Sequence, residues 1–389
     1  MRTVYADNAG TTRLSETALN AMLPYLRDKF GNPSSVYSFG REAKKAVEES
    51  REKIAAALDA LPSEIYFTGS GTEADNWAIR GAFSKNAGKV RHVITTAIEH
   101  HAVLNTAAAL EKNSGAEVTF LPVNKFGQVD LQEFERAVKK DTILVSIMTA
   151  NNEIGTILPI EDLCAAAHAR GVLFHTDAVQ AVGHIPVSVK KTGVDMLSLS
   201  AHKFCGPKGV GVLYIKRGAG IPAFLTGGGQ ERTRRSGTEN VAGIVGAAAA
   251  LEESARNMNA NIAAVTAMRD RLISGLLKIP YSFLTGDPVN RLPGTASFIF
   301  ECVEGESMIL GLDREGIAAS SGSACSSGSL DPSHVLLAIG LSHEAAHGSV
   351  RLTVNENNSE EDVDYILEKM PPVIEKLRAM SPLWEEKIK

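Results

Sequence analysis

The chain has 389 residues, 44% hydrophobic and 22% charged, enough to bury a full core and long enough for two domains. Its 40 basic and 45 acidic residues leave a formal net charge of −5, which excludes the basic excess of a general nucleic-acid binder and any polybasic membrane tether. The longest strongly apolar stretch, Val241 to Leu251, is about half the ~20 residues of a membrane span, and the opening residues carry no leader pattern, so a globular, cytoplasmic protein is expected.

In chain order, the pattern predicts a helix from Ser38 to about Asp59, with Ala43, Val47, Ile54 and Leu58 near one face. A strand at Glu64 to Phe67 leads into a helix at Glu73 to Ser84, and a strand at His92 to Thr95 into a helix at His101 to Lys112. Next come a strand at Val118 to Val123, a helix start with Asp130 and Glu133 in capping-box spacing, and a strand at Thr142 to Met148. A helix at Ile160 to Arg170 precedes strands at Val172 to His175, Met196 to Ser200 and Gly211 to Ile215. Apolar strands separated by helices indicate an α/β fold with a mostly parallel sheet covered on both sides. From about Asn257 the rhythm changes to a long helix through Met268 and Leu276, strands at Ser297 to Phe300 and Gly316 to Ala319, and a helix from Glu360. The predicted division is a large domain over 15–256 and a smaller α+β domain formed by 1–14 and 257–389.

In a parallel sheet, ligands gather beyond the carboxyl ends of the strands. Three segments place chemistry there. FTGSGTEADN at 67–76 is a strand end, a small-residue turn and a helix start, which suits a phosphate, although it is neither a Walker A loop nor G-x-G-x-x-G and reads equally as a plain turn. Asp177 lies just past a buried strand, where an isolated Asp reads more simply as a helix cap. Lys203 follows an apolar strand and precedes a Gly/Pro-rich turn; desolvation there would free its amine for Schiff-base chemistry, although most lysines keep their charge in water. Together the three suit pyridoxal 5′-phosphate, which needs an amine for its aldehyde, a carboxylate at its ring nitrogen and a phosphate pocket. The cysteines at 164, 205, 302 and 325 form no C-x-x-C pair, so neither a metal site nor a disulfide framework is expected.

With ADNAGTT at 6–12, GNPSS at 31–35, EHHAV at 99–103, NNEIG at 151–155, SAHK at 200–203, GGGQERTRRSGTEN at 227–240 and SSGSACSSG at 320–328, the sequence closely resembles the cysteine desulfurases. These are the NifS/IscS class of fold-type I pyridoxal-phosphate enzymes, within the class V aminotransferases. The resemblance implies Lys203 as the covalent cofactor anchor, Asp177 at the pyridinium nitrogen, Gln180 at the phenolic oxygen and His100 stacked over the ring. It implies Thr72, Ser200 and His202 on the phosphate, Gly71 giving backbone access, and Thr238 reaching the phosphate of the other subunit of a homodimer. Asn152 and Arg351 would bind the substrate carboxylate. Cys325 would take sulfur from L-cysteine as a persulfide, leaving L-alanine, for transfer to an iron–sulfur scaffold or another acceptor. No Lys, Arg or His lies between Ser320 and Pro332, so activation of that thiol has to come from elsewhere, with His100 or the bound substrate as the hypothesis. Cys164, Cys205 and Cys302 read as packing residues, and Arg232, Arg234 and Arg235 as lining the cofactor and dimer region. Two departures stand out: Gly10 where relatives usually have alanine, expected to matter little, and RLTVNENN after Arg351 where a glycine is usual. The nearest rivals, a selenocysteine lyase or another aminotransferase-like enzyme, would keep Lys203 and Asp177.

Overall fold

The computed structural model describes residues 2–86, 91–321 and 331–387. Its strands are β1 (Val4–Tyr5), β2 (Ile65–Thr68), β3 (His92–Thr96), β4 (Glu117–Leu121), β5 (Thr142–Ser146), β6 (Leu173–Asp177), β7 (Met196–Ser200), β8 (Gly211–Ile215), β9 (Ser282–Leu284), β10 (Thr295–Phe300), β11 (Ile317–Ala318) and β12 (Ser349–Thr353). The central sheet has the order β2-β8-β7-β6-β5-β3-β4. Strands β4, β3, β5, β6 and β7 are parallel, and β8 runs against both of its neighbours. The fold is α/β around a mostly parallel sheet, as the sequence pattern indicates. The predicted strands at Met196 to Ser200 and Gly211 to Ile215 match residue for residue; the others shift by one or two at their ends, where hydrogen bonding rather than apolarity decides the limit.

Both faces of the sheet are buried, and successive residues serve opposite sides. Val93, Leu144, Met196 and Leu213 pack with Trp77, Ala78 and Phe83 of the helix Gly71–Lys85. Their neighbours Ile94, Val145, Leu197 and Val212 join Ile54, Phe174 and Leu251 in a core on the other side. The helix starts are capped locally: Ser70 Oγ accepts the Glu73 amide at 3.1 Å, and Asp130 Oδ1 accepts the Glu133 amide at 2.8 Å.

A third core gathers Val4 and Ala6 with Phe298, Phe300, Met308, Leu312, Val350, Leu352 and Ile366. It is built on the antiparallel sheet β12-β10-β9 and the parallel pair β1-β11. The change of rhythm near Asn257 falls inside one continuous 36-residue helix, Val241–Leu276, about 54 Å long. Ala247 and Leu251 of this helix enter the large core, whereas Val265, Met268, Leu272 and Leu276 enter the third. Val335, Leu336 and Ile339 pack back on the large core. On this packing we propose a domain boundary within that helix, with the second unit sharing apolar surface with the first. Among the described residues no helix is long and apolar enough to cross a membrane.

Phe298 is fully buried at the centre of the smaller core. Phe298→Ala is expected to cost about 3–5 kcal/mol, read as a lower urea midpoint.

Candidate active site

The carboxyl ends of neighbouring strands deliver the polar groups to one place. Asp177 ends β6, Ser200 ends β7 and leads through a single turn to Lys203, and the loop after β3 carries His100. The turn after β5 carries Asn152, while Arg351 comes from β12 and Ala9 and Gly10 from the N-terminal segment. They line one cavity of about 400 Å³ together with Gly71, Thr72, Asp75, Gln180 and His202. All the expected site residues in the described part of the chain thus meet there, except Thr238. Thr238 lines a separate cavity of about 190 Å³ with Gly69, Glu231 and Arg235. Cys325 lies outside the described residues.

Lys203 Nζ donates to the carbonyls of Ala9 and Gly10 at 2.6 and 2.7 Å. Asp177 is buried and accepts the Val179 amide at 2.9 Å. Burial pushes its carboxyl up to about 6, against the Val179 amide and the Lys203 charge, which pull it down. His100 caps the helix His101–Ser114, its Nδ1 accepting the Ala102 amide at 3.1 Å, so the ring proton sits on Nε2. Burial, then the charge of Lys203, hold this imidazole down to about 4. The ring is therefore uncharged near neutrality, a hydrogen-bond donor rather than the cation that would stabilise a thiolate.

Behind Asp177 lies a group that sequence reasoning missed. Asp75 and Glu99 are fully buried, and each keeps one carboxylate oxygen without a hydrogen-bond partner. Asp75 Oδ1 is 3.7 Å from Nε2 of His175, whose ring nitrogens face Ser146 and Ser198 hydroxyls at 2.8 and 2.9 Å. Burial and the Asp177 charge push Asp75 well above the usual carboxylate range. Burial also raises Glu99 to about 8, although Thr96 and the Met148 amide donate to it. The available signal was one acidic residue on a helix face otherwise made of Ala74, Trp77 and Ala78.

At the other end, the helix Gly71–Lys85 lines the cavity with its first residues, Gly71 and Thr72, at the positive end of its dipole. A Cβ on Gly71 would come within 2.8 Å of Val179, so only glycine permits this approach. His202 Nδ1 meets Thr11 Oγ1 at 3.0 Å, and burial holds its ring down to about 4. Arg351 is buried; it donates through Nη1 to the Asn152 carbonyl at 2.8 Å and through Nη2 to Asp7 Oδ1 at 2.7 Å, while its Nε has no partner. A Cβ at position 10 would lie 2.4 Å from Asp7 Oδ2, the end of the side chain that accepts from Arg351, so an alanine there would require that carboxylate to shift. The Asn355–Asn357 loop surrounds Cys205, whose thiol donates to Glu356 Oε1 at 3.4 Å.

The residues present fit pyridoxal 5′-phosphate: an amine and a buried carboxylate face one cavity, and a helix start stripped of its Cβ offers amides for a phosphate. The class-V aminotransferase family model matches residues 4–366. The chain belongs to the class-V aminotransferases. A curated relative of this family, "Cysteine desulfurase IscS" of Methanosarcina thermophila, is 53% identical over 382 residues, 98% of this chain and 94% of its own. A solved structure of a NIFS-like protein superposes with a TM-score of 0.92 at 41% identity, covering 97% of this chain and 100% of that one. Another, SspA in complex with cysteine, gives 0.80 at 36% identity over 90% of this chain and 99% of that one.

The buried acids of this class-V aminotransferase make its stability depend on pH. The folded chain keeps protons on Glu99, held at about 8, that the unfolded chain releases near 4.5. His175, held at about 3 by burial, acts with the opposite sign, but that contribution is complete above its ordinary 6.5. From there up to about pH 8, stability falls as pH rises. Glu99→Gln is expected to flatten that slope in thermal melts of the cofactor-free protein; an unchanged slope would exclude Glu99 as its source.

Proposed function

We infer that the chain is a cysteine desulfurase that takes sulfur from L-cysteine, releases L-alanine and passes the sulfur on through a persulfide of Cys325. The observation that carries this reading is the convergence of Lys203, Asp177 and Arg351 on one cavity, in a chain whose near-full-length relatives bear that name. Pyridoxal 5′-phosphate, when bound, supplies the electron sink that makes the substrate Cα–H acidic and its sulfur open to attack. Lys203 would anchor it through Nζ, and the same nitrogen, when free, would accept the substrate Cα proton. Asp177 is the anion for the ring nitrogen, its charged form favoured by the Val179 amide and the Lys203 charge, while burial raises Asp75 and Glu99 behind it. Gln180 serves the phenolic oxygen, and His100 covers the ring and offers its Nε2 proton. Gly71, Thr72, Ser200 and His202 hold the phosphate. Arg351 and Asn152 hold the substrate carboxylate, Arg351 through its guanidinium, which lines the cavity.

Three further observations support Cys325 as the sulfur acceptor. Burial raises the Cys164 and Cys205 thiols to about 12, and Cys302 is raised as well, so these are poor nucleophiles. Ser320, before the segment that carries Cys325, pairs through its backbone with Arg351 at 3.2 and 2.6 Å. Ser333, after it, donates to Glu153 beside Asn152. A second copy of the chain completes the enzyme. The stretch around Phe30, Val36 and Tyr37, 73, 86 and 60% exposed, is apolar surface that a homodimer would cover, and Thr238 then serves the partner's phosphate. An acceptor such as an iron–sulfur scaffold takes the persulfide sulfur, in a cytoplasm that keeps thiols reduced.

Incubation with L-cysteine followed by mass spectrometry is expected to show one added sulfur on the Cys325 peptide and alanine in solution. Cys325→Ser should lose both while keeping the cofactor absorbance, and undiminished sulfur release by that variant would overturn the assignment. Arg351→Lys cannot reproduce a two-pronged contact, so KM should rise about tenfold or more with a smaller change in kcat.

A further inference from the structure

The segment 227–240 adopts a backbone that its side chains disfavour. Glu231, Arg232 and Thr233 have φ of 45°, 57° and 65°, three successive left-handed residues that all carry a Cβ. Side-chain bonds to the helix Ser38–Ala57, to the chain over 62–67 and to the phosphate turn surround them. Arg51 makes a buried two-pronged pair with Glu231, both bonds at 2.8 Å. The same pair takes up the open edge of β2: Glu231 accepts the Phe67 amide and Arg51 donates to the Ile65 carbonyl, each at 2.8 Å. Arg232 donates to the Ser63 and Pro62 carbonyls at 2.8 and 2.9 Å. Arg235 grips both oxygens of Glu73 at 2.7 and 3.0 Å, and Glu73 in turn accepts the Gly69 amide at 2.9 Å. The arginines expected to line the cofactor and dimer region are thus engaged within their own chain.

The geometry points to a clamp: the Arg235–Glu73 pair joins the phosphate turn of one site to the Thr238 segment, and the Arg51–Glu231 pair fixes that segment to the strand leading into the turn, so that turn and segment move as one body. Gly71 and Thr72 lie within two residues of Glu73, and Thr238 lies three beyond Arg235. These four residues are positioning residues, which act on the phosphate through others. The inference rests on the reading above that Thr238 serves the partner subunit's site. On that reading, loosening the clamp in one subunit weakens cofactor retention in two sites: its own through the turn, and its partner's through Thr238.

Heterodimers purified through two different tags test this. One subunit carries Lys203→Ala, so only the other subunit's intact Lys203 holds borohydride-reducible cofactor. With Arg235→Met added to the Lys203→Ala subunit, cofactor loss from the intact subunit, followed by its visible absorbance after dilution, is expected to be about tenfold faster. Glu73→Gln, which keeps a neutral acceptor, should give a smaller acceleration, and it takes the place of Arg235→Met if that subunit fails to assemble. The reciprocal pair Glu73→Arg with Arg235→Glu should bring the rate back toward that of the unmodified clamp, which general loosening of the subunit would not do. Thr238→Ala in the same arrangement separates the two claims. If it leaves the rate unchanged, the underlying assignment of Thr238 falls. If it accelerates loss while Arg235→Met and Glu73→Gln do not, the clamp alone is overturned.

Discussion

Successive residues of β3, β5, β6 and β7 enter two different apolar cores, so these strands have no wet face on which to carry chemistry. Polar side chains within these strands are spent on one another, as His175 is on Ser146 and Ser198, so groups that must meet a ligand lie where the strands stop, and parallel strands stop on the same side. Asp177, Ser200, Lys203, His100 and Asn152 are close together for that reason. What the large core lacks is a cation for the substrate and a wall opposite the strand ends. The smaller sheet supplies Arg351 and the N-terminal segment supplies Ala9 and Gly10, whose carbonyls meet the lysine amine.

The same burial limits the charge that the site can hold. Asp75, Glu99 and Asp177 are all buried, and the nearby histidines are held neutral. Ionising all three acids would leave several uncompensated charges in a medium of low dielectric. Burial raises all three, Asp75 and Glu99 further still through the charges beside them, whereas Asp177 has the Val179 amide and the Lys203 charge to stabilise its anion. A carboxylate that is charged but not solvated is the partner a pyridinium nitrogen requires.

Those parts of the site that follow from chain-local pattern were legible in the sequence. An apolar run ending in Asp or Lys locates Asp177 and Lys203, and a small-residue turn before a helix locates Gly71 and Thr72. Residues whose role depends on packing between distant segments were not. The crowding at Gly10 appears only when Asp7 is seen reaching across to Arg351. Asp75 reads as one acid on a helix until its face is seen to be buried. The partners of Arg232, Arg234 and Arg235, which lie about 160 to 170 residues away in sequence, could not be named for the same reason. The strands β1 and β9, two and three residues long, give too little periodicity to detect, whereas β12 is as long as strands that the pattern did reveal.

The desolvation that makes the cavity suitable for proton transfer from carbon makes it unsuitable for storing a thiolate. The two buried cysteines show the size of the effect, with their thiols raised to about 12. A nucleophilic sulfur near Lys203 in the core would be held in its unreactive form, and the uncharged His100 would not rescue it. The chemistry therefore divides between a dry site that labilises the substrate and a thiol carried on a separate segment whose ends are tied to Arg351 and Glu153.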